Sequence, residues 1–143
     1  MLITPPPVCA YRWGDRDIEV GRSPQRTAEH TALYAEKARF VADELGIPYV
    51  DLWSGFLQEA GWNGKTPLLG STYAPKSAEM GRLLRDGLHF TKEGNELCFR
   101  LVALKIVETW LEFHPEKISP QVPMWDMEED ILGMVREIAE REE

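Results

Sequence analysis

Two short apolar segments, separated by a single helix-forming stretch, most constrain the fold of this chain. Residues 1–3 are apolar and end at Thr4 and three prolines, which cannot continue a strand or a helix. Residues 47–53 form a second apolar segment of the kind seen in buried parallel strands. Parallel strands need a long crossover connection, which is usually a helix. The sequence therefore predicts a βαβ unit within the first 53 residues.

The predicted crossover helix has two candidate starts. Ser23 can cap a helix that has Pro24 in its first position, and Thr27 is the later alternative. Gly46 ends the helix. An apolar stripe runs beside a stripe of alanines at helical spacing, so we expect the alanine face to pack closely inward. The apolar stripe comprises Tyr34, Ala38, Val41 and Leu45, and the alanines are Ala28, Ala32, Ala35 and Ala42.

The remaining segments give more varied signals. Residues 8–21 have no clear period, so we predict a surface loop there. Between residues 54 and 85 we expect mostly irregular structure, with a short helix at residues 56–60. Thr91 predicts the cap of a long helix that is terminated at His114 and the following proline. The expected inward positions of that helix are Leu97, Leu101, Leu104, Val107 and Leu111.

A proline-punctuated linker at residues 119–123 precedes a last predicted helix, in which Asp126 and Glu129 have capping-box spacing. We therefore divide the chain into a main domain, residues 1–125, and an acidic amphipathic terminal helix, residues 126–143. From residue 124 to the last residue there are eight acidic and two basic side chains. We interpret this acidity as a solvated helix face, with partner binding as the alternative.

Charge and hydropathy exclude several classes of protein. The 143 residues include 16 basic and 24 acidic side chains, and the resulting net charge of −8 would repel a nucleic acid. No apolar stretch approaches the roughly 20 residues needed to cross a bilayer, and the first residues do not resemble a secretory signal. We therefore expect a cytoplasmic protein. Cys9 and Cys98 are too few for a disulfide framework, so we predict free thiols.

The most informative motif is an aspartate three residues before a histidine, Asp86 and His89. On a turn, this spacing lets the carboxylate accept a hydrogen bond from one imidazole nitrogen and fix the tautomer. The other nitrogen can then act as a general base toward a hydroxyl nucleophile. Gly87 makes the turn sterically easy, and the Thr91 cap anchors it to a helix. The alternative interpretation is an accidental pair on the surface.

The longer string Asp-Gly-Leu-His-Phe-Thr-Lys-Glu-Gly-Asn, residues 86–95, closely resembles the fifth sequence block of the GDSL or SGNH hydrolases. Residues 2–8 resemble the strand and proline turn after the third block in the isoamyl acetate-hydrolysing esterase branch. Matching features continue in order through residue 125. The resemblance implies that Asp86 and His89 complete a Ser-His-Asp triad. It also implies the flavodoxin-like, three-layer α/β/α fold, present as a C-terminal half with about two parallel strands and about four helices.

The sequence departs from the family by lacking the Gly-Asp-Ser block with the nucleophile and the two later blocks that donate to the oxyanion. We expect no substitute nucleophile, because no serine or cysteine lies in a recognisable strand-to-helix elbow. Cys9 lies close to where the family's substrate pocket would be, and its role stays open; we interpret it as a packed small thiol. The hydroxyl and thiol candidates are Ser23, Ser54, Ser71, Ser77, Ser119 and Cys9.

By resemblance, the complete family hydrolyses short-chain acyl esters through a serine acyl-enzyme without a metal or organic cofactor. We expect this chain to be inactive alone and to need an N-terminal half before it accepts an ester substrate. Two alternatives stay open: a non-enzymatic truncated paralogue, and one chain of a split esterase. We also expect self-association through exposed strand edges. His30 and His114 are interpreted as a solvent-facing residue and a helix-terminus residue, and neither has metal-ligand spacing.

Overall fold

The computed structural model describes residues 1–114 and Lys117. Met1–Thr109 form one compact unit, and a second unit begins at Trp110. The predicted linker and terminal helix lie outside the described residues. The elements of the compact unit are β1 (Leu2–Ile3), α1 (Ala10–Glu19), α2 (Ala28–Glu44), β2 (Tyr49–Val50), α3 (Leu52–Glu59), α4 (Ala78–Leu83) and α5 (Lys92–Thr109), and a 3₁₀ turn at Leu111–Phe113 follows in the next segment.

The two strands form a parallel pair in which Leu2 lies opposite Tyr49 and Ile3 opposite Val50. The backbone N–H of Leu2 donates to the carbonyl of Pro48, and that of Thr4 donates to Val50, both at 2.9 Å. The crossover between the strands contains α2, as a parallel connection requires. The predicted βαβ unit is therefore confirmed, and the described residues form an α-rich partial α/β fold.

Helix α2 begins at the later of its two predicted starts. Thr27 has extended backbone, and its hydroxyl oxygen accepts a hydrogen bond from the N–H of His30 at 3.1 Å. Ala28, Ala35 and Ala42 are buried, so the expectation of an inward alanine face is confirmed. Small side chains at these positions let the helix lie close to β1. Tyr34, on the neighbouring stripe, is 72% exposed.

Strand β2 is shorter than predicted, because Asp51 starts a helix inside the segment 47–53. The Asp51 carboxylate accepts a hydrogen bond from the N–H of Ser54 at 3.1 Å and so caps α3. The same carboxylate accepts from the Thr4 hydroxyl at 3.2 Å and from the Arg39 guanidinium at 3.1 Å. One side chain thus connects the ends of both strands with α2 and α3. The helix predicted at residues 56–60 correspondingly starts four residues earlier.

The prediction of a surface loop at residues 8–21 is wrong, because most of that segment is helix α1. Its buried residues, Ala10, Gly14 and Asp17, are small or polar, whereas its Ile18 is 65% exposed. A helix that buries this kind of face has no apolar stripe in its sequence. Helix α4 was also not predicted, and it begins where the Ser77 hydroxyl accepts from the N–H of Met80 at 3.2 Å.

The long helix α5 starts as predicted but ends earlier. The Thr91 hydroxyl accepts a hydrogen bond from the N–H of Gly94 at 3.1 Å, and the helix stops at Thr109. Leu97 is buried as expected, but the expected inward position Leu104 is 56% exposed. Within the compact unit, α5 packs mainly against α3 and α4. The buried core comprises Cys9, Val50, Leu52, Phe56, Leu57, Ala60, Met80, Leu83, Leu84 and Leu97.

Across residues 1–114 and Lys117, no helix combines the length and the apolar character that a membrane span needs.

Candidate active site

The candidate site lies on a short segment between α4 and α5, residues 84–91, which we call the histidine loop. Its two ends are joined by an antiparallel bridge between Leu84 and Phe90. Inside the bridge, the N–H of Arg85 donates to the carbonyl of His89 at 2.8 Å. The loop is therefore a closed turn, and α5 begins directly after it at Lys92. The loop is therefore fixed at one end to α4 and at the other end to α5.

Gly87 fixes the histidine loop against the start of α1. Its φ of +91° is a conformation that side-chain-bearing residues rarely adopt. Its carbonyl accepts a hydrogen bond from the N–H of Cys9 at 2.8 Å. A Cβ atom at this position would lie 2.5 Å from the carbonyl oxygen of Cys9 and 2.9 Å from the N–H nitrogen of Trp13. Only glycine fits this contact without a backbone shift.

Asp86 and His89 make the contact that their spacing predicts. Nδ1 of the imidazole and Oδ2 of the carboxylate are 2.8 Å apart. The other oxygen, Oδ1, accepts from the backbone N–H groups of Leu88 at 3.1 Å and of His89 at 2.9 Å. These backbone contacts fix the position of the carboxylate within the turn. Asp86 is thereby placed to keep the proton of a neutral imidazole on Nδ1.

The environment of Asp86 favours its charged form. Partial burial by itself would raise the pKa of this carboxyl group. The hydrogen bond with the His89 imidazole and the two backbone N–H donors outweigh burial and hold the pKa well below its usual range. Asp86 is therefore a carboxylate at neutral pH.

The second imidazole nitrogen, Nε2 of His89, has no hydrogen-bond partner among the described residues, and the side chain is 54% exposed. The Trp13 ring lies edge-on to the imidazole, with the ring centres 5.8 Å apart. This arrangement restricts one side of the imidazole and leaves Nε2 accessible. A neutral imidazole with Nδ1 hydrogen-bonded and Nε2 free can accept a proton from a hydroxyl group.

Two side chains of α1 complete the surroundings of Asp86. Nη1 of Arg16 lies 3.2 Å from Oδ2 of Asp86, and the Arg16 guanidinium lies over the Trp13 ring at 4.7 Å. Sequence reasoning missed both residues, because it placed them in a surface loop. The pairing joins residues 70 positions apart, and no local pattern in the sequence could have indicated it.

Several curated proteins are similar to this chain. A GDSL esterase/lipase of Arabidopsis thaliana is 32% identical over 128 residues, covering 86% of this chain and 45% of that protein. The isoamyl acetate-hydrolysing esterase of Saccharomyces cerevisiae is 28% identical over 129 residues, covering 87% and 46%. The bovine isoamyl acetate-hydrolysing esterase 1 homolog is 30% identical over 99 residues, covering 69% and 33%.

The chain is a homologue of the GDSL hydrolases. It spans less than half the length of the curated relatives named above. No family model matches the chain. The resemblance of the chain to this family therefore has support from relatives that align with most of the chain.

In this GDSL homologue, Cys9 is poorly suited to act as a substitute nucleophile. Burial raises the pKa of its thiol, with partial opposition from hydrogen bonds with Tyr11 and Arg12, and the side chain is fully buried. A thiol is nucleophilic only as its thiolate. The cysteine instead packs in the core between the start of α1 and the histidine loop.

Several of the hydroxyl candidates are engaged in turns of this GDSL homologue. Ser77 caps α4, and Ser71 is buried with its oxygen accepting from the N–H of Tyr73. Ser23 and Ser54 have no hydrogen bond to His89 in the described part of the chain, and Ser119 lies outside it. His30 is exposed on α2, as expected for a solvent-facing residue. Among the described residues, no three His, Cys, Asp or Glu side chains converge on a metal position.

Proposed function

We propose that this chain supplies the histidine and the aspartate of a serine-dependent carboxylic ester hydrolase. The observation that carries the proposal is the 2.8 Å contact between Asp86 and Nδ1 of His89, with Nε2 left accessible. Homology to proteins named as esterases gives the reaction class. In this proposal, the two parallel strands are part of the larger three-layer α/β/α sheet of an SGNH hydrolase.

The proposed chemistry assigns each residue a step at a stated atom. Nε2 of His89 accepts the proton of a serine hydroxyl while the serine oxygen attacks the ester carbonyl carbon. The same nitrogen then gives that proton to the departing alcohol, which leaves an acyl-serine. A water molecule then attacks the carbonyl carbon of the acyl-serine while Nε2 accepts its proton. The proton passes to the serine oxygen as the bond to the acyl group breaks, which releases the acid and restores the serine hydroxyl. Asp86 stays ionised throughout and stabilises the imidazolium that forms at each stage.

The substrate class follows from the relatives rather than from a pocket. Some of these relatives are named for the hydrolysis of isoamyl acetate, an ester of a short acyl group with a branched alcohol. We therefore propose short-chain acyl esters as the substrates. The nucleophilic serine comes from a Gly-Asp-Ser block that the 143 residues do not contain.

A consequence is that the chain by itself has little or no esterase activity. The nucleophile and the oxyanion donors supply most of the rate acceleration in sites of this type. An imidazole with an oriented carboxylate but no hydroxyl partner acts at best like free imidazole in solution.

A second candidate function is a binding partner in a split esterase. It is favoured by the open edge of β1, which in the described part of the chain pairs only with β2. Such an edge offers backbone donors and acceptors to a strand from another polypeptide. In that case the other polypeptide would carry the serine.

Ester hydrolysis by two forms of the protein tests the proposal. The chain is expressed alone and as a fusion behind the nucleophile-containing N-terminal portion of the Arabidopsis relative. We expect the fusion to hydrolyse a chromogenic acetate ester and to be labelled on one serine by a phosphonate, and the chain alone to do neither. His89→Ala and Asp86→Asn should then lower kcat of the fusion by about 10³-fold or more.

The exposed histidine of α2 gives a matched control, because His30→Ala should leave the fusion fully active. A fusion that is labelled on serine but hydrolyses the ester equally well without His89 would show that the histidine has been assigned wrongly. Labelling of a serine in the isolated chain would contradict the proposal that the nucleophile lies elsewhere.

A further inference from the structure

The Asp86 carboxylate accepts hydrogen bonds from four donors, which is close to the full capacity of its two oxygens. Oδ1 is used by two backbone N–H groups of the histidine loop. Oδ2 is shared by Nδ1 of His89 at 2.8 Å and Nη1 of Arg16 at 3.2 Å. A carboxylate that served only to orient an imidazole would not need the cationic fourth donor. The contact of Arg16 with Asp86 therefore needs a separate explanation.

Helix α1 holds the Arg16 guanidinium in place through an aromatic ring. The guanidinium carbon lies 4.7 Å from the centre of the Trp13 ring, within the range of a cation–π contact. The same ring lies edge-on to the His89 imidazole at 5.8 Å. Trp13 thus contacts both groups that share Oδ2 of Asp86. The arrangement is a connected set of four side chains, drawn from α1 and the histidine loop.

We infer that Arg16 is a positioning residue that divides the Asp86 carboxylate between itself and His89 and thereby limits how strongly the imidazole holds a proton. The inference rests on the proposed function, because it assumes that His89 acts as a general base. Arg16 does not touch a substrate in this scheme. It acts on the imidazole by sharing Asp86 and by placing a like charge near the imidazolium.

The direction of the effect follows from charge. A lone carboxylate beside Nδ1 stabilises the imidazolium form. A guanidinium on the same oxygen neutralises part of that negative charge and adds a like charge near the imidazolium, so both effects favour the neutral imidazole. A neutral imidazole is the form that can accept the serine proton. Because the Arg16 side chain is 47% exposed, solvent screening keeps the effect modest.

The charged residues on the two elements beside the imidazole include Asp86 and Arg85 on the histidine loop and Arg12 and Arg16 on α1. Asp86 contacts the ring, and Arg16 contacts Asp86. Arg26, just before α2, lies over the Trp13 ring at 5.2 Å and is retained in every variant below. The competing explanation is that the Arg16–Asp86 pair merely fastens α1 to the histidine loop. That explanation predicts a change in stability alone.

NMR titration of the His89 imidazole separates the two explanations without any substrate. In Arg16→Gln, we expect the titration midpoint of His89 to rise by roughly 0.2–0.5 pH unit relative to the unaltered chain. Arg16→Ala should give the same shift, and Arg16→Lys, which retains the charge, should give less than half of it. Arg22→Gln is the matched control, since Arg22 is an exposed arginine without an ion pair among the described residues, and it should give no shift.

Thermal unfolding of each variant accompanies the titrations. An unchanged midpoint in both neutral variants would overturn the inference, whether or not their melting temperatures fall. A lower midpoint would overturn it as well. Because the titration needs neither serine nor ester, its result stands apart from the activity of the fusion. An inactive fusion would count against the proposed function, whereas an unshifted imidazole counts against Arg16 alone.

Discussion

At the scale of single residues, the candidate site combines local and long-range contacts on one carboxylate. Three of the four donors to Asp86 come from the next three residues of the chain, and the fourth comes from Arg16 on α1. The local donors are present whenever the turn forms. The long-range donor is present only when α1 packs beside the turn. The hydrogen bonds of the Asp86 carboxylate therefore depend on both levels of structure.

The depressed pKa of Asp86 predicts how the stability of the chain varies with pH. A carboxyl group with a lower pKa in the folded than in the unfolded state stabilises the fold above its unfolded pKa, and this contribution is lost as the pH falls through the folded value. We expect Asp86→Asn to lower the free energy of unfolding at pH 6. The difference from the unaltered chain should begin to shrink near pH 4, the usual carboxyl range, and should shrink further below it.

Urea unfolding of both forms across this pH range provides the measurement. Asp43→Asn, at an exposed aspartate of α2, is the control and should show a smaller difference with little pH dependence. A difference between Asp86→Asn and the unaltered chain that stays constant from pH 6 to pH 3 would show that the carboxylate charge does not contribute.

How far the site is predictable from sequence depends on the range of its contacts. The Asp86–His89 contact is predictable because a separation of three residues on a turn brings the two side chains together. Arg16 and Trp13 are not predictable in this way, because their positions follow from how α1 packs. The resemblance of residues 86–95 to a known block indicated the chemistry of the pair. It gave no information about their neighbours on α1.

At the scale of elements, the contact between α1 and the histidine loop is the part of the fold that sequence patterns describe least well. The buried face of α1 consists of Ala10, Gly14 and Asp17, so hydrophobic periodicity cannot detect it. At Gly14 an added Cβ atom would lie 3.5 Å from the Pro24 side chain, which is an ordinary packing distance. By contrast, α2 and α5 are predictable because Thr27 and Thr91 cap them. A helix cap can be recognised from a few neighbouring residues. A buried helix face made of small and polar residues gives no such pattern in the sequence.

Gly87→Ala tests how strongly the histidine loop depends on this contact. The added methyl group meets backbone atoms of Cys9 and Trp13, and the positive φ adds strain. We expect a loss of about 2 kcal/mol or more in the free energy of unfolding. Gly21→Ala is the matched control, because Gly21 also has a positive φ of 72° but has open space around it. It should cost about 1 kcal/mol.

Urea unfolding monitored by tryptophan fluorescence gives both values. Equal losses at the two glycines would mean that the loop and α1 move apart without cost. In that event the close approach of Gly87 to α1 would not stabilise the site.

At the scale of the whole molecule, the compact unit exposes several large apolar side chains along α2. Four large side chains of this helix and that of Leu45, its C-cap residue, are exposed at spacings that place them on one side, and we call these five residues the α2 apolar stripe. Ile3 on β1 is also 46% exposed. The α2 apolar stripe comprises Leu33, Tyr34, Phe40, Val41 and Leu45, each at least 44% exposed.

Exposed apolar side chains of this number favour association, so we expect the isolated chain to form oligomers. Sedimentation velocity over a range of micromolar concentrations should show a sedimentation coefficient that increases with concentration. Phe40→Lys, in the middle of the stripe, should weaken this association. Phe99→Lys is the control, because Phe99 is 75% exposed on α5, away from the stripe in sequence. A monodisperse monomer at all concentrations would contradict the prediction.

The register of β1 makes a single amide a reporter for whatever lies along its open edge. The N–H groups of Leu2 and Thr4 point toward β2 and donate to it, so that of Ile3, between them, points the opposite way. In the free monomer, deuterium should replace the Ile3 amide proton quickly and the Thr4 proton slowly. Slow exchange at both positions would reveal that a strand has been added beside β1. The ratio of the two rates can therefore measure occupancy of that edge.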